Sequence, residues 1–224
     1  MRTIVYVDGY NLYYGLLRRS HYKWLDLVSL FQDHVLNDSA NVVEVRYYTA
    51  PVLGKLCDDP SSPLRQRTYL QALRKHSGDR LVIIEGKMVT SEPFLRLVDP
   101  IPEAPHLTHV RVFTLTEKKT DVNLAADLIT GAFTGAYDQA VVCSNDMDLE
   151  GAFSAVKKHL PMLKIGLVAP IPKDDHRHIS NTLKQHADWV KILSPVHLAA
   201  AQLPNKIPHT SIRKPDAWNL ETKS

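Results

Sequence analysis

Short apolar runs alternate along this chain with longer stretches of helical spacing. Thr3–Val7 (TIVYV) is β-branched and aromatic and stops at Asp8-Gly9, the pattern of a buried strand. Leu12–Leu17 reads as a short helix. Leu25, Leu27, Val28, Leu30, Phe31 and Val35 recur at helical spacing and predict an amphipathic helix from Leu25 to Leu36. Val42–Thr49 is a second strand and residues 50–62 a loop of turn chemistry. Pro63–His76 is a helix with Pro in its first turn. Arg80–Glu85 is a third strand. Pro93, Pro100, Pro102 and Pro105 argue against a helix over 88–110, which is expected to be an irregular, hairpin-like excursion ending in a strand at Val110–Leu115. Then follow a helix (Val122–Phe133), a strand (Gln139–Ser144), a helix (Leu149–His159) and a strand (Lys164–Val168). The remaining predictions are a helical Ser180–His186, a short strand Val190–Leu193 and a helix Pro195–Gln202. The order predicts an α/β sandwich around a mainly parallel sheet, with any ligand outside the carboxyl ends of its strands. Residues 1–203 are read as one domain. Residues 204–224 are read as a surface tail, anchored by Ile212 and Trp218.

Composition narrows this picture modestly. The 224 residues are 44% hydrophobic and 23% charged, enough for a packed core. The net charge of +3 marks no obvious polyanion binder. From Lys157 onward, however, 11 Lys/Arg face 5 Asp/Glu, an excess suited either to a solvated surface or to steering a polyanion. Cys57 and Cys143 exclude a disulfide scaffold and a Cys-rich zinc module, and Cys143 lies in an apolar run of core character. No apolar stretch approaches the ~18–20 residues of a membrane span. The expectation is a protein of a reducing compartment, the cytoplasm, with no membrane partner and with self-association left open.

The candidate chemistry is acidic. Asp8 closes the first strand and is followed by Asn11. Asp121 opens a helix that also carries Asp127. Asp146 and Asp148 follow the strand QAVVCS. In a parallel sheet these positions share one edge. Converging carboxylates repel one another unless a cation compensates, and all-oxygen donors suit Mg²⁺ or Mn²⁺. Such a cation polarises a phosphodiester and activates water. Local explanations exist as well: Asp8 can start a Gly-containing turn, and Asp148 or Asp121 can cap a helix. Asp127 is the weakest member, because six residues from Asp121 is about 600° of helical rotation and places it on another face. Lys118 and Lys119 are positioned to meet phosphate, and Tyr10, Tyr13 and Tyr14 to stack on unpaired bases. Asp174, Asp175, His176, Arg177 and His178 form a polar loop on the same edge. A phosphatase using an Asp nucleophile needs a second Asp two residues after the first; Tyr10 stands there instead.

VYVDGYNLYYG, EKKTDVNLAADLI and VVCSNDMDLEGAF resemble, in order and in strand–helix context, the three motif blocks of the NYN domains, a branch of the PIN-like nucleases. KIGLVAP and ISNTLKQHADWVKIL resemble the family's last, looser block. The resemblance covers roughly residues 3–193. It implies a PIN-like three-layer sandwich and a Mg²⁺- or Mn²⁺-dependent ribonuclease acting on RNA, single-stranded by the tyrosine argument. Carried over by position, Asp8, Asp121 and Asp146 match the core acidic ligands and Asn11 the polar partner. Asp127 and Asp148 match further acidic positions. Catalytic roles are thereby expected for Asp8, Asn11, Asp121, Asp146 and Asp148, and cation ligation for Asp8, Asp121, Asp146 and Asp127; from their own chemistry and place on the edge, substrate contacts are expected for Lys118, Lys119, Arg177 and Tyr10. Asn145 replaces the Gly common in that block; its tolerance of left-handed backbone is expected to preserve the turn. Within the family, KWLDL, VRYYTAPV and the length resemble a stand-alone bacterial branch, some of whose members carry the name 6-hydroxy-3-succinoylpyridine hydroxylase. An RNA-binding module without turnover is the alternative. An oxygenase is a third reading, but no GxGxxG follows the first strand.

Overall fold

The structure, a computed structural model, describes residues 1–54, 59–172 and 178–219. Its centre is β1 (Arg2–Asp8), which feeds directly into α1 (Gly9–Leu12) and a wider π-helical turn, Tyr13–Leu17. Asp26 stops the next helix from starting at Leu25 as expected. Its carboxylate accepts the backbone N–H groups of Val28 (3.0 Å) and Ser29 (3.1 Å), so α2 begins at Leu27 (Leu27–Ser29) and continues as π-helical turns through Leu30–Val35. β2 (Asn41–Thr49), α3 (Ser62–Ser77) and β3 (Leu81–Glu85) follow. Cys57 lies outside the described residues.

The proline-rich excursion is a nested antiparallel arm. β4 (Lys87–Ser91) pairs with β7 (Thr114–Lys118), and β5 (Phe94–Arg96) with β6 (His109–Arg111). The single strand expected over Val110–Leu115 is therefore broken in two. Pro93 lies across from the break and has no N–H to give, although its carbonyl still accepts Val112 N–H at 3.0 Å. Gly86 lets the base of the arm close: a Cβ there would sit 2.7 Å from Glu117 Oε1 and 2.7 Å from Lys118 O.

α4 (Thr120–Phe133), β8 (Gln139–Cys143), α5 (Glu150–His159), β9 (Lys164–Ala169), α6 (Asn181–Lys184), β10 (Trp189–Ile192) and α7 (Pro195–Ala200) complete the chain's main elements. The six-stranded sheet runs β10-β9-β8-β1-β2-β3, every pair parallel. Helices cover both faces, giving the three layers of a PIN-like sandwich. β1 shows why its run is continuously apolar. Val5 and Val7 enter one core with Trp24, Leu30 and Phe31, while Ile4 and Tyr6 enter the other with Leu124, Leu128 and Phe153. The strand order reverses between β1 and β8, so the crevice expected for ligands lies at their carboxyl ends. Beyond α7, Ile207 is buried, Trp24 Nε1–H donates to Pro204 O (2.9 Å), and Ile212 and Trp218 pack against the first core. Among the described residues no helix is long and apolar enough to cross a membrane.

Candidate metal centre

Asp8 ends β1 in that crevice and is 3% exposed. Its Oδ1 accepts Asn11 N–H (2.9 Å), so it caps α1. Its Oδ2 accepts Asn11 Nδ2–H (2.7 Å) and Ser144 Oγ–H (2.8 Å). The turn expected of Asp-Gly and a site carboxylate are thus one residue in two roles. Gly9 is required beside it, because a Cβ would lie 2.5 Å from Tyr48 O on β2. After β8, Asp146 caps a 3₁₀ turn through Asp148 N–H (3.0 Å), and its own N–H donates to Ser144 Oγ (3.1 Å). Capping falls to Asp146 rather than to Asp148, which is exposed. Asp121 lies in the first turn of α4, whose start is prepared by Lys119 at φ 82° and by Glu117 Oε1 accepting Thr120 N–H (3.2 Å). A lysine in the left-handed region costs about 1 kcal/mol or more, held here by the surrounding turn.

One carboxylate oxygen each from Asp8, Asp121 and Asp146 lies within 4.8 Å of the others. The charge balance is unfavourable as it stands. Burial, then the negative charges of Asp8, Asp146, Glu117 and Asp148, push the Asp121 carboxyl up to about 6. Burial also raises Asp8, opposed by hydrogen bonds from Asn11 and Ser144 and reinforced by Asp146. Three hard oxygen donors with surplus negative charge fit Mg²⁺ or Mn²⁺. Oxygens on opposite sides of Mg²⁺ are about 4.2 Å apart, so this spread suits a cation that retains water.

Not every expected residue joins the cluster. Asp127 is turned away: its Oδ2 accepts Tyr48 O–H (2.7 Å) and faces Arg46 at 3.5 Å. Because Asp121 is inside the helix, the rotation between the two holds them apart. Lys118 and Lys119 are exposed at the entrance to α4. Tyr10 is half-buried, its O–H 3.0 Å from Met88 Sδ on the arm and its ring 5.7 Å from Tyr14. Asp174, Asp175, His176 and Arg177 lie outside the described residues. Asn145 does not have left-handed backbone, so the expected reason for its presence does not hold. It ties loops together instead: its N–H donates to Asn11 Oδ1 (3.2 Å), its Nδ2–H to His178 O (3.2 Å), and its Oδ1 accepts Ser180 N–H (2.9 Å). Ser144 and Glu117 went unnoticed in the sequence. Ser144, a small hydroxyl closing an apolar strand just before the acidic pair, was the readable one.

The curated protein 6-hydroxy-3-succinoylpyridine 3-monooxygenase HspA of Pseudomonas putida is 33% identical over 237 residues, spanning 97% of this chain and 75% of that one. The crystal structure of a protein of unknown function from Vibrio parahaemolyticus superposes with a TM-score of 0.50 at 18% identity. That superposition covers 87% of this chain and 93% of the other, and it bears on the fold alone. The NYN domain family model matches residues 2–190, from β1 through the start of β10, and includes all three clustered aspartates. With the parallel sheet and its acidic carboxyl edge, that match identifies the chain as a member of the NYN domain family, on the PIN-like nuclease fold.

Proposed function

We propose that the protein is an endoribonuclease that uses a divalent cation to hydrolyse phosphodiester bonds in single-stranded RNA. The observation that carries this reading is the meeting of Asp8, Asp121 and Asp146 oxygens within 4.8 Å among neighbours of like charge. Those three residues would hold Mg²⁺ or Mn²⁺, which when bound polarises the phosphodiester and lowers the pKa of water. Asn11 and Ser144 fix the Asp8 carboxylate by hydrogen bonds to Oδ2, and Asp148 adds negative charge at the rim. Lys118 and Lys119 offer exposed positive charge to the RNA backbone beside α4. Tyr13 and Tyr14, exposed on the first helical segment, offer ring faces to unpaired bases.

The name of the P. putida relative describes a monooxygenase on a pyridine substrate. In this chain Asp8-Gly9-Tyr10-Asn11 occupies the first strand–helix turn, where a dinucleotide site has its Gly-rich loop, and the acidic cluster favours phosphodiester chemistry. The test is cleavage of an end-labelled single strand with Mn²⁺, Mg²⁺ or EDTA, beside the same strand annealed. Cation-dependent cleavage, faster on the single strand and lost in Asp146→Asn, is the expected result. Calorimetric Mn²⁺ binding without cleavage by the wild type would favour a non-hydrolytic RNA-binding module. NADH consumption with a pyridine substrate would favour the oxygenase.

A further inference from the structure

On the face of the sheet whose core holds Tyr47 and Tyr69, a cavity of about 500 Å³ opens between α1, the end of β2, the start of α3 and the C-terminal 3₁₀ turn Asp216–Trp218. Its size falls in the range of small-molecule and cofactor sites, about 300–1,000 Å³. Aromatic rings dominate its lining: Tyr10, Tyr13 and Tyr14 from the first helical segment, Tyr47 from β2, Tyr69 from α3 and Trp218 from the tail. These rings brace one another. Tyr47 and Tyr69 meet edge to face at 6.5 Å, Tyr69 and Trp218 at 6.0 Å, and Trp218 also leans on the buried Trp24 at 6.1 Å. A wall held by its own contacts loses little freedom when a flat ligand enters.

The charged part of the lining is unbalanced. Arg18, Lys23 and Arg65 face the cavity with Asp59 as the sole acid among the described lining residues. Arg65 is committed to Asp59 at 2.6 Å and to Ser62 Oγ at 3.0 Å. Lys23 is half-buried and donates to a neutral acceptor, the carbonyl of Ser20 (2.5 Å). Burial, and then the positive charge of Arg65, lower its pKa, so an anion at this end would relieve an existing strain. Arg18 stands over the Tyr14 ring at 5.4 Å, a cation set directly against the aromatic wall.

We propose that this cavity binds a flat aromatic ring carrying an anionic group. The ring would lie among the tyrosines and Trp218, with its anion at Lys23 and Arg18. Two sources share that chemistry: one unpaired nucleotide, or a free aromatic acid. None of the clustered carboxylates Asp8, Asp121 and Asp146 lines the cavity, so the inference does not rest on the nuclease reading.

The test is calorimetric titration of the full chain in EDTA, which removes any cation from the acidic centre. The probes are 5′-AMP and 5′-UMP for a nucleotide, and benzoate and 3-phenylpropionate for a free acid. Adenosine, benzyl alcohol and inorganic phosphate supply ring or charge alone. At least one nucleotide or acid is expected to bind tenfold or more tightly than every single-feature control. Arg18→Gln, at an exposed position, and Lys23→Gln should each weaken it about fivefold, with melting temperatures measured alongside. Trp218→Ala should weaken it by a similar factor. Binding by nucleotides alone assigns the site to a nucleotide, and binding by acids alone to a free aromatic acid; either supports the inference. It is overturned if no probe binds, if phosphate alone binds as well as AMP, or if all three variants bind like wild type. A failure here leaves the acidic centre untouched, and RNA cleavage failing leaves this site standing.

Discussion

Where β1 and β8 end and α4 begins, three carboxylates crowd together with negative neighbours. Beside the end of β2, among the described residues, three cations share an aromatic cavity with one acid. The Asp8-Gly9-Tyr10 turn serves both, Asp8 in the cluster and Gly9 and Tyr10 in the cavity lining. In the acidic centre each aspartate is set locally, at a strand end or a helix start, and backbone N–H groups of the same turn hold two of them, although the fold brings the three together from distant parts of the chain. The cavity is made of long-range pieces, drawn from residues as distant as Tyr10 and Trp218. One side is completed by a cation, the other by an anion, and the two should respond independently to mutation.

The largest expected effect tests that independence. Asp146→Asn should cost RNA cleavage at least about a hundredfold, since it removes a candidate ligand at nearly constant volume, while leaving any cavity ligand's affinity unchanged. Kinetics and calorimetry on one protein sample decide it; a joint loss would mean that the two sides act as one site. A smaller effect is expected at the groups that aim Asp8. Ser144→Ala and Asn11→Ala should each weaken Mn²⁺ affinity by about 10–100-fold, the usual consequence of losing a partner that orients a ligand. Equal affinity in both variants and the wild type would dismiss that positioning role.

pH sharpens the contrast further. With Asp121 near 6, protons compete with the cation, so Mn²⁺ affinity should be flat above pH 7 and fall about tenfold per unit below 6. Titrations at pH 5, 6 and 7 would show it, and affinity unchanged across that range would refute it. The smallest effect concerns stability without cation. The folded-state value of Asp121, about 6, lies above its unfolded value of about 3.9. The native state therefore holds the extra proton between them, and stability falls as pH rises through this window. Asp121→Asn in EDTA should thus be more stable than wild type at pH 7, by on the order of 1 kcal/mol because solvent screens part of the repulsion. The difference should vanish below pH 4. Denaturant melts at pH 7 and pH 3.5 measure both ends.

What could be read from the chain follows the same division between near and far. TIVYV announced a strand buried on both faces, and the spacing of Asp121 from Asp127 already placed them on different helix faces; Tyr48 and Arg46 now account for where Asp127 went. The split of the arm at Pro93 was harder, because a proline's effect depends on which residues lie across from it, and pairing partners are not visible in one strand's alternation. Asn145 was misjudged for a related reason. Local backbone tolerance is a property of one residue, whereas its two hydrogen bonds to His178 and Ser180 reach 33 and 35 positions along the chain. The cavity was half legible: Tyr10, Tyr13 and Tyr14 stood out as stacking candidates, but Tyr47, Tyr69 and Trp218 lie too far along the chain for any local pattern to join them.

The strand order carries a consequence for how the protein comes into being. β1 precedes every other strand of the sheet in sequence and stands in the middle of the finished sheet, yet one of its two neighbours, β8, begins only at Gln139. During synthesis the N-terminal half can pair β1 with β2 and β3, but the opposite edge of TIVYV stays bare until Gln139–Cys143 emerge. A bare, charge-poor, β-branched edge is a template for pairing with another chain. Fragments ending before β8 should therefore aggregate through β1. The acidic cluster is subject to the same schedule, because Asp8 meets Ser144 and Asp146 only when that last edge is covered.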